Sequence, residues 1–145
     1  MDSIDFIYHV SPKLVIKPSS VHGLGVFAST PIFKDETIEV SRLLKMAWRS
    51  KYNMDQTIRD YCWNQVCSCL ECKTHGYNLY LALGFGSIYN HADVPNTIST
   101  FDYSKLTLII TAKEDIAAGQ EIFVTYGANY WKNRSKFLTP PISTV

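Results

Sequence analysis

Residues 84–96 read GFGSIYNHADVPN and form the most informative segment of this sequence. An apolar run leads into an Asn-His pair, and a Pro-Asn pair follows four residues after the histidine. Asn90 can both donate and accept hydrogen bonds, and a neutral His91 can do the same, so the pair could bind the edge of a heterocycle. For the segment alone, a hydrogen-bonded turn built from Asn and Pro is the favoured interpretation.

A second segment lies upstream, where residues 22–28 read HGLGVFA. Gly23 and Gly25 stand between two predicted strands and would let the backbone approach a ligand without a Cβ in the way. A tight β-turn explains the two glycines equally well. The segment lacks the third glycine and the following helix of a dinucleotide-binding fingerprint, which excludes that interpretation.

A third segment lies downstream, where residues 119–127 read GQEIFVTYG and Trp131 follows. Tyr126 stands at the end of a predicted strand and just before a glycine, where its hydroxyl could project into a site. An ordinary tyrosine at a strand end is the commoner alternative.

The rest of the chain predicts a mainly β architecture, because short β-branched segments alternate with turn residues. Strands are expected at residues 14–16, 26–28, 37–40, 97–103, 106–111 and 121–125, with 97–103 and 106–111 forming a hairpin. A helix is expected around Asp55 to Trp63, and the apolar run 80–85 is expected to be buried. Without repeats or linkers, residues 1–145 are expected to form one domain, with a core at about 14–131 and an extended tail at 132–145.

The amino-acid composition restricts the classes of function that this chain could have. The chain has 145 residues with 14 Lys and Arg against 13 Asp and Glu, so nothing favours direct nucleic-acid binding. No apolar run approaches the length of a membrane span, and the N-terminus lacks the features of a signal peptide. An intracellular location, nuclear or cytoplasmic, is therefore expected, with the four cysteines reduced.

Taken together and in this order, the three segments resemble the SET domain of protein lysine methyltransferases. The matching features are Gly-x-Gly with Val-Phe-Ala at 23–28, Asn-His-x-x-x-Pro-Asn at 90–96, and Gly-x-Glu-Ile-x-x-x-Tyr-Gly at 119–127. The resemblance covers about Leu14 to Trp131 and is nearest to the small stand-alone SET proteins of large DNA viruses and bacteria. It implies the SET-domain (β-clip) fold: small antiparallel sheets, a knot-like crossing beside the cofactor, and a short helical insertion.

The resemblance also implies a site for S-adenosylmethionine. The residues that it assigns to this cofactor are Gly23, Leu24, Gly25, Asn90, His91, Tyr126 and Trp131. Tyr126 would also be the catalytic tyrosine at the inner end of the lysine channel, and Tyr61 would line that channel. The alternatives are a hydrophobic cap on the sheet for Trp131 and a place in the core for Tyr61.

The implied function is transfer of a methyl group from S-adenosylmethionine to a lysine of a protein, with a histone tail as the expected substrate. A non-catalytic SET-fold scaffold of a chromatin complex and a methyltransferase for a non-histone protein are the alternatives. The host nucleus would be the location of a viral protein.

Three departures from the family pattern stand out. Val124 occupies the position two before the tyrosine, Ala92-Asp93 follows the Asn-His pair, and no cysteine-rich tail follows Trp131. In the family, such a tail forms one wall of the site. Here the resemblance implies that this wall would come from residues 129–138, from a second copy in a homodimer, or from the bound peptide.

The cysteines are a separate question. Cys62, Cys67, Cys69 and Cys72 fall within eleven residues, with His75 nearby, and could hold zinc. Their spacing is not that of a common zinc finger. On a strand, Cys67 and Cys69 would share a face, whereas Cys62 and Cys72 need not. Free thiols are therefore favoured over a zinc site.

Overall fold

Ten strands and two short helices follow one another in the computed structural model, which describes residues 8–46 and 54–127. In chain order the elements are β1 (His9–Val10), β2 (Leu14–Pro18), β3 (Leu24–Ala28), β4 (Thr37–Lys45), α1 (Gln56–Asp60), β5 (Cys62–Gln65), α2 (Leu70–His75), β6 (Asn78–Ala82), β7 (Asn90–His91), β8 (Thr97–Asp102), β9 (Thr107–Ala112) and β10 (Glu121–Val124). The predicted mainly β fold is confirmed, and each predicted strand overlaps an observed one.

The strands form two sheets. Six strands belong to the larger sheet, in the order β5-β6-β4-β9-β8 with β1 also paired to β4. Four strands form the smaller sheet, in the order β2-β3-β10-β7. Strand β4 organises the larger sheet, because its first half pairs with β1 and its second half with β6, while β9 runs along most of its length.

The hydrophobic core lies where strand residues alternate between inside and outside. In β9, Leu108 and Ile110 are completely buried, and in β10 the same is true of Ile122 and Val124. This period of two is what a pleated strand with one core-facing side requires. The predicted hairpin is present as β8 and β9, which pair from Thr97↔Ala112 to Asp102↔Thr107 around the turn at residues 103–106.

The pairing of β7 with β10 places the Asn-His segment beside the segment that contains Tyr126. Strand β7 pairs in parallel with β10, through Phe123↔Asn90 and Val124↔His91. This two-residue pairing is the exception in sheets that are otherwise antiparallel. It brings the Asn-His pair next to the strand that leads into Tyr126.

Two predictions about the middle of the chain need correction. The helix expected around Asp55 to Trp63 covers only Gln56–Asp60, and Trp63 lies instead on strand β5, where it pairs with Tyr80 of β6. Pairing with β6 and a buried indole outweigh the local helical pattern at this point. The run 80–85 is buried only in part, because Tyr80 and Ala82 face the core while Leu83 is exposed at the end of β6.

Neither of the two described helices is long and apolar enough to cross a membrane.

Candidate functional site

Asn90 joins the glycine segment to strand β10. Its side chain is almost fully buried, and its Nδ2 atom lies 3.0 Å from the His22 carbonyl oxygen and 3.2 Å from that of Leu24. The same nitrogen lies 2.7 Å from Oε2 of Glu121 on β10. Two amide hydrogens thus serve three acceptors. The loop and the strand are held together by one side chain.

Glu121 closes the same loop from its other side. Its Oε1 accepts a hydrogen bond of 2.7 Å from the Ser19 hydroxyl, and the Ser19 amide donates 2.8 Å to the Gly23 carbonyl. Gly25 packs directly under this carboxylate, and a Cβ at that position would collide with it. A side chain at Gly25 would therefore displace the Glu121 carboxylate from its hydrogen bonds to Ser19 and Asn90. Glu121 itself was not predicted as a site residue, although it lies within the third segment.

His91 orients Tyr126 through the backbone. The Tyr126 amide donates to Nδ1 of His91 at 3.0 Å, so this ring nitrogen must be an acceptor. The other nitrogen, Nε2, then carries the proton and donates 2.8 Å to the exposed carboxylate of Asp93. Such a pair of bonds fixes both the tautomer and the plane of the imidazole.

Tyr126 lies in the wall of a cleft. Its hydroxyl donates 2.8 Å to the Tyr89 carbonyl, and its ring meets the Trp63 ring edge-on at 6.4 Å. The Trp63 indole nitrogen in turn donates 3.1 Å to the Gly86 carbonyl. The residues lining this cleft are Asp60, Tyr61, Cys62, Trp63, Gly86, Ser87, Tyr89 and Tyr126. Tyr61 and Tyr126, the two tyrosines expected along a lysine channel, thus line one cleft.

Tyr61 is half exposed, at 52% of its surface, and follows helix α1 as its C-cap. The alternative that placed it in the core does not fit this exposure. Trp131, the remaining residue assigned to the cofactor, lies outside the described residues, as do residues 129–138.

A buried carboxylate that the sequence did not reveal supports the cleft from behind. Glu39 on β4 is completely buried and accepts hydrogen bonds from the Tyr89 hydroxyl at 2.6 Å, the Ser41 hydroxyl at 2.8 Å and the Phe85 amide at 2.9 Å. Gly84 has a φ of +72°, and a Cβ there would collide with the same carboxylate. Glu39 therefore fixes the course of residues 84–89.

Burial and hydrogen bonding act in opposite directions on this network. Burial raises the pKa of Glu39 above its ordinary value of 4.5, and four hydrogen-bond donors counteract that shift in part: the Tyr89 and Ser41 hydroxyls and the Phe85 and Gly86 amides. The pKa of Tyr89 is raised well above its ordinary value by burial and then by the neighbouring Glu39. Tyr89 consequently keeps its proton and donates a hydrogen bond to Glu39. The signal for Glu39 in the sequence was weak: a single charge between Ile38 and Val40 in a strand.

Three of the four cysteines come together in the segment before β6. The sulfur atoms of Cys67, Cys69 and Cys72 all lie within 4.8 Å of one another. Hydrogen bonds from the Cys67 thiol and then the Cys72 amide lower the pKa of Cys69 to about 6, and burial raises that of Cys72 to about 11. Cys62 is not part of the group, because its sulfur contacts Met54 and the Ile58 carbonyl.

The structure agrees with the expected proximity of Cys67 and Cys69 but adds Cys72 to the group. Cys67 and Cys69 do lie together, but in an irregular segment between β5 and α2 rather than on a strand. Cys72 reaches them because helix α2 begins directly after Cys69, which caps it.

Comparison with known proteins gives a consistent result. A family model described as the SET domain matches residues 23–127. A Schizosaccharomyces pombe (strain 972 / ATCC 24843) protein named "Histone-lysine N-methyltransferase, H3 lysine-37 specific" is 29% identical over 122 residues, which are 84% of this chain and 78% of that protein.

Solved structures agree with the fold. A crystal structure of a candidate histone methyltransferase from Plasmodium falciparum superposes with a TM-score of 0.59 at 28% identity, covering 84% of this chain and 99% of that one. A humanized mutant of the Chaetomium thermophilum Polycomb Repressive Complex 2, bound to the inhibitor GSK126, gives a TM-score of 0.61 at 22% identity over 80% of this chain and 15% of that one. The second likeness concerns the fold alone. The nearer likeness to viral and bacterial proteins stays a prediction.

Proposed function

Because this chain belongs to the SET domain family, we propose that it transfers a methyl group from S-adenosylmethionine to the ε-amine of a lysine in a protein. The observation that carries this proposal is the placement of Tyr126. Its backbone is held by His91 and its hydroxyl by the Tyr89 carbonyl, at a cleft that Tyr61 and Trp63 also line.

The cleft fits a positively charged guest. Among its lining residues in the described part of the chain are four aromatic residues and Asp60, but no lysine, arginine or histidine. Aromatic faces attract cations, and a neighbouring carboxylate adds to that attraction. Both the sulfonium of the cofactor and the side chain of a lysine carry such a charge.

The neighbouring glycine segment fits the rest of the cofactor. Gly23 and Leu24 are exposed on the surface of the loop, whereas Asn90 beneath them is buried and holds their backbone in place. We assign S-adenosylmethionine to the backbone of Gly23, Leu24 and Gly25 with Asn90 and His91, and leave Trp131 as a proposed adenine contact. When bound, the cofactor supplies the electrophilic methyl group.

The chain must prepare the lysine for attack. Lysine has an unperturbed pKa of about 10.4, so at neutral pH few side chains have a free lone pair. Tyr61 and Trp63 would exclude water around the entering side chain, which disfavours the charged ammonium form. The ammonium proton would leave to water, and the freed amine lone pair would accept the methyl group that the bound cofactor supplies, with the cofactor's sulfur as the leaving group.

Tyr126 acts in this scheme as a positioning group in contact with the reacting atoms. A tyrosine hydroxyl has an unperturbed pKa near 10 and stays protonated at neutral pH. Because its proton is donated to the Tyr89 carbonyl, the hydroxyl meets a guest in the cleft as an acceptor. Weak C–H···O contacts, donated by the methyl group to that oxygen and to nearby carbonyls, would align the methyl group.

A histone tail is the proposed substrate class, since the relative from Schizosaccharomyces pombe is named for lysine 37 of histone H3. Such a substrate requires the protein to reach the nucleus. With a net charge of +1, recognition of a basic tail would depend on local acidic groups such as Asp60 rather than on overall attraction.

The test compares methyl transfer by the wild type and by Tyr126→Phe, using labelled S-adenosylmethionine and a mixture of histones and other proteins. We expect Tyr126→Phe to reduce transfer about a hundredfold, because loss of alignment is costly. Cofactor binding measured by calorimetry should be largely retained.

Tyr103→Phe is the matched control, because that hydroxyl bonds Gln65 and lies away from the cleft lining. It should retain transfer. Full activity of Tyr126→Phe would refute the role of Tyr126, and absence of cofactor binding by the wild type would favour the scaffold alternative.

A further inference from the structure

The segment between β5 and β6 is poorly supported by hydrophobic packing. Helix α2 has only six residues and a single buried side chain, which is Cys72. Val66 and Leu70 of the same segment are exposed, at 51% and 76%. A helix this short is not stable by itself in water, so its order requires another source of stabilisation.

A metal ion would be such a source of stabilisation, and the three cysteines have the geometry to bind it. Tetrahedral zinc with Zn–S bonds of about 2.3 Å separates two sulfur ligands by about 3.8 Å. The sulfur atoms of Cys67 and Cys72 lie 3.7 Å apart, and that of Cys69 lies within 4.8 Å of both. A small adjustment of Cys69 would complete one triangular face of a tetrahedron.

Polar hydrogens already point at these sulfurs. The Cys67 amide lies 3.4 Å from the Cys72 sulfur, and the Cys72 amide lies 3.4 Å from the Cys69 sulfur. The side-chain nitrogen of the buried Asn78 is a further donor to Cys69, also at 3.4 Å. Donors directed at sulfur stabilise thiolates, and the thiolate is the form that binds metal.

From these observations we propose that Cys67, Cys69 and Cys72 bind a zinc ion through their three thiolates. The fourth tetrahedral position is left for a nitrogen or oxygen donor, such as water or His75, which follows Cys72 by one helical turn. This site is separate from the cleft and does not depend on the proposed methyl transfer. Cys62, which lies with Met54 and Ile58, is not a ligand.

Zinc here would connect helix α2 to the strand that carries the cleft wall. Cys67 follows β5 by two residues, and the Cys72 sulfur lies 3.8 Å from the carbonyl oxygen of Gln65 at the end of that strand. Trp63 is on the same strand. The metal would therefore have a structural role and stabilise the wall from outside.

The experiment uses the full chain, reduced and reconstituted with zinc, followed by removal of loose metal and elemental analysis. We expect about one zinc per chain, loss of that zinc in the triple variant Cys67→Ser, Cys69→Ser, Cys72→Ser, and full retention in Cys62→Ser. Removing the metal with a chelator should lower the unfolding temperature of the wild type. Substitution with Co²⁺ should give sulfur-to-metal charge-transfer absorption.

The single variant Cys69→Ser keeps the test decisive where the triple variant does not fold, because Cys69 is partly exposed. It should lose charge-transfer intensity in proportion to the missing thiolate. Absence of zinc and cobalt from the reduced wild type would overturn the proposal. So would equal loss of metal in Cys62→Ser, or a Cys69→Ser spectrum identical to that of the wild type.

Discussion

Two polar regions of this molecule are built in opposite ways. In the bonds of Glu39 and Asn90, the partners are far apart in sequence: Glu39 reaches Tyr89 across 50 residues, and Asn90 reaches Leu24 across 66. In the cysteine group, Cys67 and Cys72 are separated by five residues. These contacts can form only when distant parts of the chain have come together, whereas the cysteine group needs only one short segment and the start of a helix.

This difference has energetic consequences. Asn90 and Glu39 are buried and make several hydrogen bonds each, so removing one of these side chains takes hydrogen bonds away from several partners at once. The cysteine segment is partly exposed and has little core of its own. We therefore expect changes at Asn90 or Glu39 to affect the whole fold and changes near the cysteine segment to have local effects.

The largest effect is expected for Asn90→Ala. The variant removes one donor from the Glu121 carboxylate and from each of two carbonyls, and we expect a loss of about 2 kcal/mol in the free energy of unfolding. Cofactor binding should be lost as well, because the glycine segment is no longer held. Denaturant unfolding and calorimetry measure the two effects.

Asn96→Ala separates these two effects. Asn96 also bonds β10, donating to the Glu121 carbonyl at 2.9 Å and accepting from the Phe123 amide at 2.8 Å, but no hydrogen bond joins it to the glycine segment. It should lower stability and retain cofactor binding. Equal loss of binding in both variants would mean that Asn90 acts only through general stability.

A smaller effect is expected for Glu39→Gln, which should lower the free energy of unfolding by about 1 kcal/mol near neutral pH. This loss should depend on pH. Because burial raises the pKa of Glu39 above 4.5, the folded chain takes up a proton at a pH where the unfolded chain has already lost it. Wild-type stability relative to the variant should therefore rise as the pH falls from that raised pKa toward 4.5. Chemical unfolding across this range measures the difference.

Glu36→Gln should show the opposite slope. The Phe33 amide and Lys13 lower the pKa of Glu36, so its contribution is present above pH 4.5 and is lost as the pH falls through the lowered value. Parallel slopes for the two variants would contradict the assignment of Glu39 as the desolvated member of the pair.

The smallest effect on stability is expected for Tyr61→Phe, within about 0.5 kcal/mol, because its side chain is half exposed. Its effect should appear in the Michaelis constant for the protein substrate or in the number of methyl groups added, since Tyr61 lines the cleft. Steady-state kinetics with product mass spectrometry measure both. A large loss of stability would instead support a core role for Tyr61.

The same contrast explains which features the sequence could predict. The glycine, Asn-His and Tyr-Gly segments are local patterns, and their resemblance to a known family correctly placed them in one fold. The predicted hairpin at 97–111 was also local, as a pattern of alternation. Glu39 could not be found this way, because its burial depends on Phe85 and Tyr89 from another part of the chain.

The prediction for the middle of the chain was wrong for a related reason. Trp63 was predicted to be helical because the preceding residues are. Its position is set instead by pairing with Tyr80 and by the hydrogen bond that its indole nitrogen donates to the Gly86 carbonyl. Cys62 and Cys72 were equivalent in the spacing pattern. Only the position of helix α2 distinguishes the cysteine that joins the group from the one that does not.

The most direct test of the proposed function is identification of the methylated product. The purified chain would be incubated with labelled S-adenosylmethionine and a mixture of histones and other proteins, and labelled peptides would be sequenced by mass spectrometry. We predict label on the ε-nitrogen of a lysine, in a histone tail, at a level that depends on Tyr126. Cofactor binding without a labelled lysine on any protein offered would contradict the proposed methyl transfer.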